Sequence, residues 1–210
     1  MAITAQMVKD LREMTGAGPL DCKKALEVNN GDIQKAADWL REKGIAKAAK
    51  KLGAGRTMNE GIIGSYIHHD KRMAVIVEVN CETDFVARTD KFQEFARNIA
   101  IHIANLTPKY VRREDVPADA VQAEREIQKQ RAMNEGKKPE NVIEKIVDGR
   151  MEKFYEEIVL LEQPFVKDDS KKISDLVSEI VADLGESIQI GRFARFKIGE
   201  TIDQETESNE

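Results

Sequence analysis

The residues of this chain most able to do bond chemistry are Cys81 and the neighbouring His68 and His69. A thiol nucleophile and its imidazole base must lie within hydrogen-bond reach of each other. The surrounding pattern denies them that reach. Gly61 to His69 and Met73 to Cys81 read as the two strands of a hairpin, with Asp70-Lys71-Arg72 as its tip. Cys81 then faces about Gly61, and His68 lies about 23 Å along the neighbouring strand. A metal site from His68, His69, Glu82 and Asp84 fails for the same reason, and no H-E-x-x-H, C-x-x-C or calcium-loop spacing occurs. Gly53-Ala54-Gly55 lacks the following Lys-Ser/Thr that would cradle phosphates, so it reads as linker.

Bulk properties narrow the remaining classes. The chain has 210 residues, 33 basic against 38 acidic, for a formal charge of −5. A mildly acidic protein is a poor polyanion binder. Lys47, Lys50 and Lys51, and Arg192, Arg195 and Lys197, form basic patches without interleaved aromatics, which read as solvated faces rather than a nucleic-acid groove. Cys22 and Cys81 are too few for a disulfide framework and suit buried thiols in a reducing compartment. No secretory core, transit-peptide pattern or membrane-length apolar run is visible, so a cytoplasmic protein is expected. No cofactor, nucleic acid or membrane is expected as a partner.

Thr83-Asp84-Phe85-Val86 is harder to dismiss. Thr and Asp are ordinary turn formers, and the residues alone favour a turn with Phe85 tucked into the core. The alternative is an exposed aromatic beside a carboxylate, a probe for a partner's apolar slot. Its position favours that alternative, because the segment leaves a strand end between a hairpin and a helix, where functional loops concentrate.

Several elements must position that segment. Residues 1 to about 45 read as three short helices. Met7, Leu11 and Met14 stripe the first, Leu20, Cys22, Ala25 and Leu26 the second, and Ile33, Ala36, Ala37 and Leu40 the third. Gly44 is expected to close that helix, and a separate Ala/Lys helix to run from Ile45 to Leu52. Val75, Val77 and Val79 share one face of the second strand. Phe92, Phe95, Ala96, Ile99 and Ile103 share one side of the following helix. Two polar helices at about 117–161 carry a narrow seam that suits a helix pair. A helix through Ile173 and Leu184 ends at Gly185, and Ser187 to Ile198 forms a third strand with Gly191 marking a bulge. The class is α+β: a helical module at 1–52, a linker at 53–60, a core with a three-stranded antiparallel sheet at 61–199, and an acidic tail at 200–210.

These motifs are familiar in combination. Leu11-Arg12-Glu13-Met14-Thr15-Gly16-Ala17-Gly18, Asp21-Cys22-Lys23-Lys24-Ala25-Leu26 and Val79-Asn80-Cys81-Glu82-Thr83-Asp84-Phe85-Val86-Ala87-Arg88 resemble the elongation factor Ts family. So do Tyr66-Ile67-His68-His69, His102-Ile103-Ala104, Gly149-Arg150-Met151-Glu152-Lys153-Phe154 and Gln163-Pro164-Phe165-Val166, in one order to about Gly199. The resemblance implies a non-enzymatic guanine-nucleotide exchange factor that binds elongation factor Tu. It implies an N-terminal bundle like a ubiquitin-associated domain, docking through Leu11, Arg12, Thr15, Gly16, Ala17 and Gly18. Thr83, Asp84, Phe85 and Val86 match the family's intruding loop, with Phe85 as a wedge beside the nucleotide and Asp84 perturbing the Mg²⁺ network. Tyr66 and His68 match a segment that meets a different domain of the GTPase. Only one copy of the family's core unit is visible, which implies pairing as a homodimer.

Overall fold

The structure is a computed structural model. It describes residues 3–15, 17–52, 58–136 and 139–200, with 45–52 described by backbone alone. Gly16, most of the expected linker and the tail from 201 lie outside the described residues. The α+β class holds.

Three helices open the chain: α1 (Ala5–Thr15), α2 (Pro19–Val28) and α3 (Ile33–Leu52). Thr4 Oγ1 accepts the Met7 amide at the start of α1, Pro19 occupies the first turn of α2, and Asp32 Oδ1 accepts the Lys35 amide at the start of α3. Leu11, Cys22, Ala25, Leu26 and Ala36 form a fully buried core. Two expectations change here. Met14 and Leu20 are 59% and 83% exposed, so they leave the buried faces assigned to them. Gly44 does not stop α3, which runs on to Leu52. A Cβ at Gly44 would sit 3.1 Å from the Cβ of Ala182 in the helix packed across it, so the glycine serves close approach rather than termination.

The sheet follows. β1 (Glu60–Ile67) pairs antiparallel with β2 (Met73–Cys81), from Glu60 opposite Cys81 to Ile67 opposite Ala74. β1 thus takes Glu60 from the expected linker. A short helix, α4 (Asp84–Ala87), comes next, then α5 (Asp90–Leu106). The long pair is α6 (Ala118–Asn134) and α7 (Glu140–Ile158), joined over a thin seam of Ala132, Ile143, Val147 and Met151. A small hairpin, β3 (Pro164–Phe165) and β4 (Asp168–Lys172), leads into α8 (Ile173–Leu184) and β5 (Gln189–Lys197).

β5 lies antiparallel beside β2 and completes the order β1-β2-β5. Its register shifts between Val77 and Val79, placing one extra residue on β5 around Gly191, where the bulge was expected. Val75, Val77 and Val79 bury one sheet face against Phe92, Phe95, Ile99 and Ile103 of α5 and against Ile180 and Val181 of α8. Gly64 allows this contact, because a Cβ there would lie 2.7 Å from the Ala96 carbonyl oxygen. The opposite face carries Ile63, Ile67, Ile76 and Phe196, each about half exposed or more. α3 lies on α8, and Arg41 pairs with Glu179 across that contact.

Candidate functional site

β2 ends in a buried residue. Cys81 has no exposed surface, and its thiol donates to the Thr83 carbonyl oxygen at 3.1 Å. Burial pushes the thiol pKa up, away from the thiolate a nucleophile needs. The hairpin register also holds Cys81 and His68 at opposite ends of the sheet. Among the described residues no group of three or more His, Cys, Asp or Glu could hold a metal ion.

Past Cys81 the expected loop is one turn of helix. Thr83, in an extended conformation, caps α4 by accepting the Val86 amide on Oγ1 at 3.4 Å. The same hydroxyl donates to Glu186 Oε1 at 2.7 Å, and the Thr83 amide donates to Glu186 Oε2 at 3.0 Å. A second strap runs beside it, since the Ser187 amide donates to Glu82 Oε1 at 2.8 Å. Thr89 then caps α5 and donates its hydroxyl to the Val86 carbonyl oxygen, so α4 is held at both ends.

Within this turn the side chains divide. Ala87 is buried and Val86 packs on the core. Phe85 points away from it and is 79% exposed, which overturns the turn with a core phenylalanine favoured by the residues alone. Asp84 is partly exposed and pairs with Arg88 one turn on.

The other end of the hairpin holds Tyr66 and His68. The Tyr66 hydroxyl is 2.9 Å from His68 Nδ1, and the His68 and His69 rings lie 4.2 Å apart between centroids with their planes inclined at 53°. Asp70 in the tip accepts the Arg72 amide, which together with His68 and His69 holds its carboxyl below the usual range.

On the N-terminal bundle, Arg12 and Gly18 are exposed and Thr15 and Ala17 half-buried. Leu11 is fully buried between α1 and its neighbours, so its side chain supports this surface from beneath and presents nothing to a partner. Met14 and Leu20 flank the same turn and supply the exposed apolar area that sequence reasoning missed. Helix-face assignment in helices this short rests on too few residues to exclude them from a core. Glu186 was missed too, because nothing local in the sequence ties it to Thr83.

The family described as Elongation factor TS matches residues 5–200. The chain is 59% identical over 199 residues to elongation factor Ts of Nitratidesulfovibrio vulgaris, covering 95% of this chain and 98% of that one. It is 58% identical over 208 residues to elongation factor Ts of Thermoanaerobacter sp. strain X514, covering 99% and 100%. It is 56% identical over 205 residues to that of Carboxydothermus hydrogenoformans, covering 98% and 93%.

Proposed function

This chain belongs to the elongation factor Ts family, and from that premise we propose that it acts in translation elongation as the guanine-nucleotide exchange factor of elongation factor Tu. The observation that carries the reading is Phe85, a large apolar side chain 79% exposed on a capped and strapped turn. Leaving a phenylalanine in water forgoes about 2–3 kcal/mol of burial free energy. A partner with an apolar slot recovers it.

Phe85 enters between helices beside the nucleotide site of the GTPase and displaces them. Asp84 arrives with it and disturbs the network that holds Mg²⁺. Loss of that cation removes the largest positive charge facing the β-phosphate of GDP, so the nucleotide leaves faster. No bond is made or broken. The factor must bind the nucleotide-free GTPase more tightly than the GDP form, since equal affinity shifts nothing. Nucleotide entry then weakens the factor's grip by the same free energy.

The two remaining contacts divide the chain. Residues 1–52 dock on the nucleotide-binding domain through Arg12, Thr15, Gly16, Ala17 and Gly18, with Met14 and Leu20 as the apolar part of that surface. The core, from β1 to 199, carries the wedge at one end of the sheet and Tyr66 with His68, which meets a second domain, at the other. The exposed sheet face of Ile63, Ile67, Ile76 and Phe196 takes a second copy of this chain. The site of action is the cytoplasm. No helix among the described residues is long and apolar enough to cross a membrane.

The test is release of a fluorescent GDP analogue from elongation factor Tu. Acceleration by the purified protein supports the reading, and an unchanged release rate refutes it.

A further inference from the structure

We infer that Glu186 is a positioning residue for the wedge, holding Phe85 at a fixed pitch without touching the partner itself. This role rests on the exchange reading above and adds to it the part that makes the wedge stiff.

A single helical turn is unstable alone, because nucleation fixes several residues before hydrogen bonds repay the lost entropy. α4 is such a turn, from Asp84 to Ala87. Phe85 is 79% exposed and gains little orientation from packing. Its direction is therefore set by its backbone, and that backbone begins at Thr83. Every polar atom of Thr83 is engaged. Its amide and hydroxyl both donate to Glu186, at 3.0 and 2.7 Å, and its carbonyl oxygen accepts the Cys81 thiol and the Ala87 amide.

Glu186 comes from a distant part of the chain, 103 residues on. Gly185 caps α8 in a left-handed conformation, φ 74°, and turns the chain so that the next carboxylate meets Thr83. The following residue repeats the connection in the opposite sense, with the Ser187 amide donating to Glu82. Glu82 and Thr83 are thus fastened to Glu186 and Ser187 by three hydrogen bonds, two of them meeting one carboxylate. Hydrogen bonds to charged groups are the stronger kind. A wedge that yields spends its binding free energy on its own deformation, whereas a preorganised one delivers it to the partner.

The test compares wild type, Phe85→Ala, Glu186→Ala and Glu186→Gln. The release rate of a fluorescent GDP analogue from elongation factor Tu is measured against factor concentration, and backbone amide hydrogen exchange is followed in the free factor. Glu186→Ala is expected to lower the saturating release rate about tenfold and leave the half-saturating concentration within about twofold. Val86 and Ala87 amides should exchange at least about tenfold faster while Val77 and Ile99 stay protected. Glu186→Gln can still accept the Thr83 amide and donate to its hydroxyl, so it should stay within about threefold of wild type. A saturating rate in Glu186→Ala equal to wild type overturns the role. So does an equal loss in both Glu186 variants with the core amides loosened, which marks a merely structural residue. A wild type that fails to release GDP overturns the exchange reading, and the role with it, on its own trace.

Discussion

The Asp84 carboxylate lies 2.9 Å from the Arg88 guanidinium, one turn along the same short helix. The acid proposed to disturb a metal network is already engaged by a cation of its own chain. Both groups are substantially exposed, and such surface pairs contribute under about 1 kcal/mol, so the pair can open. Its charge is nevertheless partly spent before any partner arrives. Phe85, in contrast, has almost all its burial still to gain. Phe85→Ala should therefore slow factor-dependent GDP release by about tenfold or more, and Asp84→Asn by less than about threefold. Thermal unfolding of Phe85→Ala should match wild type, because an exposed ring contributes little to the fold. Stopped-flow release under saturating factor measures the ratio, and a larger loss for Asp84→Asn would reverse this order.

His68→Ala should separate binding from release. The Tyr66–His68 hydrogen bond stands at the far end of the hairpin from the wedge. Losing it and the contact it orients is expected to raise the half-saturating factor concentration about fivefold. The saturating release rate should stay within about twofold of wild type. A fall in the saturating rate with unchanged concentration dependence would remove Tyr66 and His68 from the second contact.

Phe196→Asp should dissociate the proposed homodimer. Phe196 lies opposite Ala74 on the exposed sheet face, beside Ile76 and Ile67. A carboxylate there would be desolvated in a face-to-face pairing without a partner cation. Sedimentation equilibrium should show the wild type at twice the mass of the variant. A wild-type monomer at micromolar concentrations would end the homodimer proposal.

Gly64→Ala is a stability test of how the sheet is seated. The new Cβ would meet the Ala96 carbonyl oxygen at 2.7 Å and its carbonyl carbon at 2.9 Å, both backbone atoms that cannot step aside singly. β1 must lift off α5. A loss of about 1–3 kcal/mol is expected, read as a lower urea midpoint at unchanged slope. An unchanged midpoint would mean that β1 and α5 are less tightly apposed.

His102 sets a pH dependence of stability. The Val166 amide donates to its Nδ1 at 3.2 Å, so Nε2 carries the proton and donates to Gln163 Oε1 at 2.9 Å. Gln163 in turn donates to the Glu157 carbonyl oxygen near the end of α7. Burial pushes the His102 pKa below the usual histidine range, against a smaller upward pull from Gln163. The folded state therefore resists a proton that the unfolded state accepts. Stability is full above the unfolded histidine value and falls as pH drops below about 6.5, by up to about 1.4 kcal/mol per unit for this one site. Urea unfolding across this range should show the decline, and His102→Gln, less stable near neutrality, should show a shallower one. Equal slopes for the two proteins would assign the decline to other groups.

The legible parts of this molecule were those with a local signal. The β1–β2 register follows from apolar alternation at Val75, Val77 and Val79 around a polar tip, and α5 from its apolar side. Gly185 ends α8 as its position suggested. The chain from Pro164 to Lys172 gave no such signal, because β4 is a run of charged and polar residues with no buried face. Gly44 misled for a different reason. A glycine that ends a helix and one that admits a neighbouring helix look alike until the neighbour, here Ala182, is known. Thr83 and Glu186 show the same limit, since a carboxylate 103 residues away leaves no periodic trace.

The unbroken passage of α3 through Gly44 has a mechanical consequence. Near its end α8 touches α3 at Ala182, and just past its C-terminal turn it delivers Glu186 to Thr83. One end of a single short helix thus gauges the N-terminal bundle against the tip that carries Phe85, as the pivot of a caliper sets its two jaws. On the docking proposed above, a GTPase whose matching sites differ in spacing from the N-terminal bundle and the Phe85 tip would engage one jaw and miss the other.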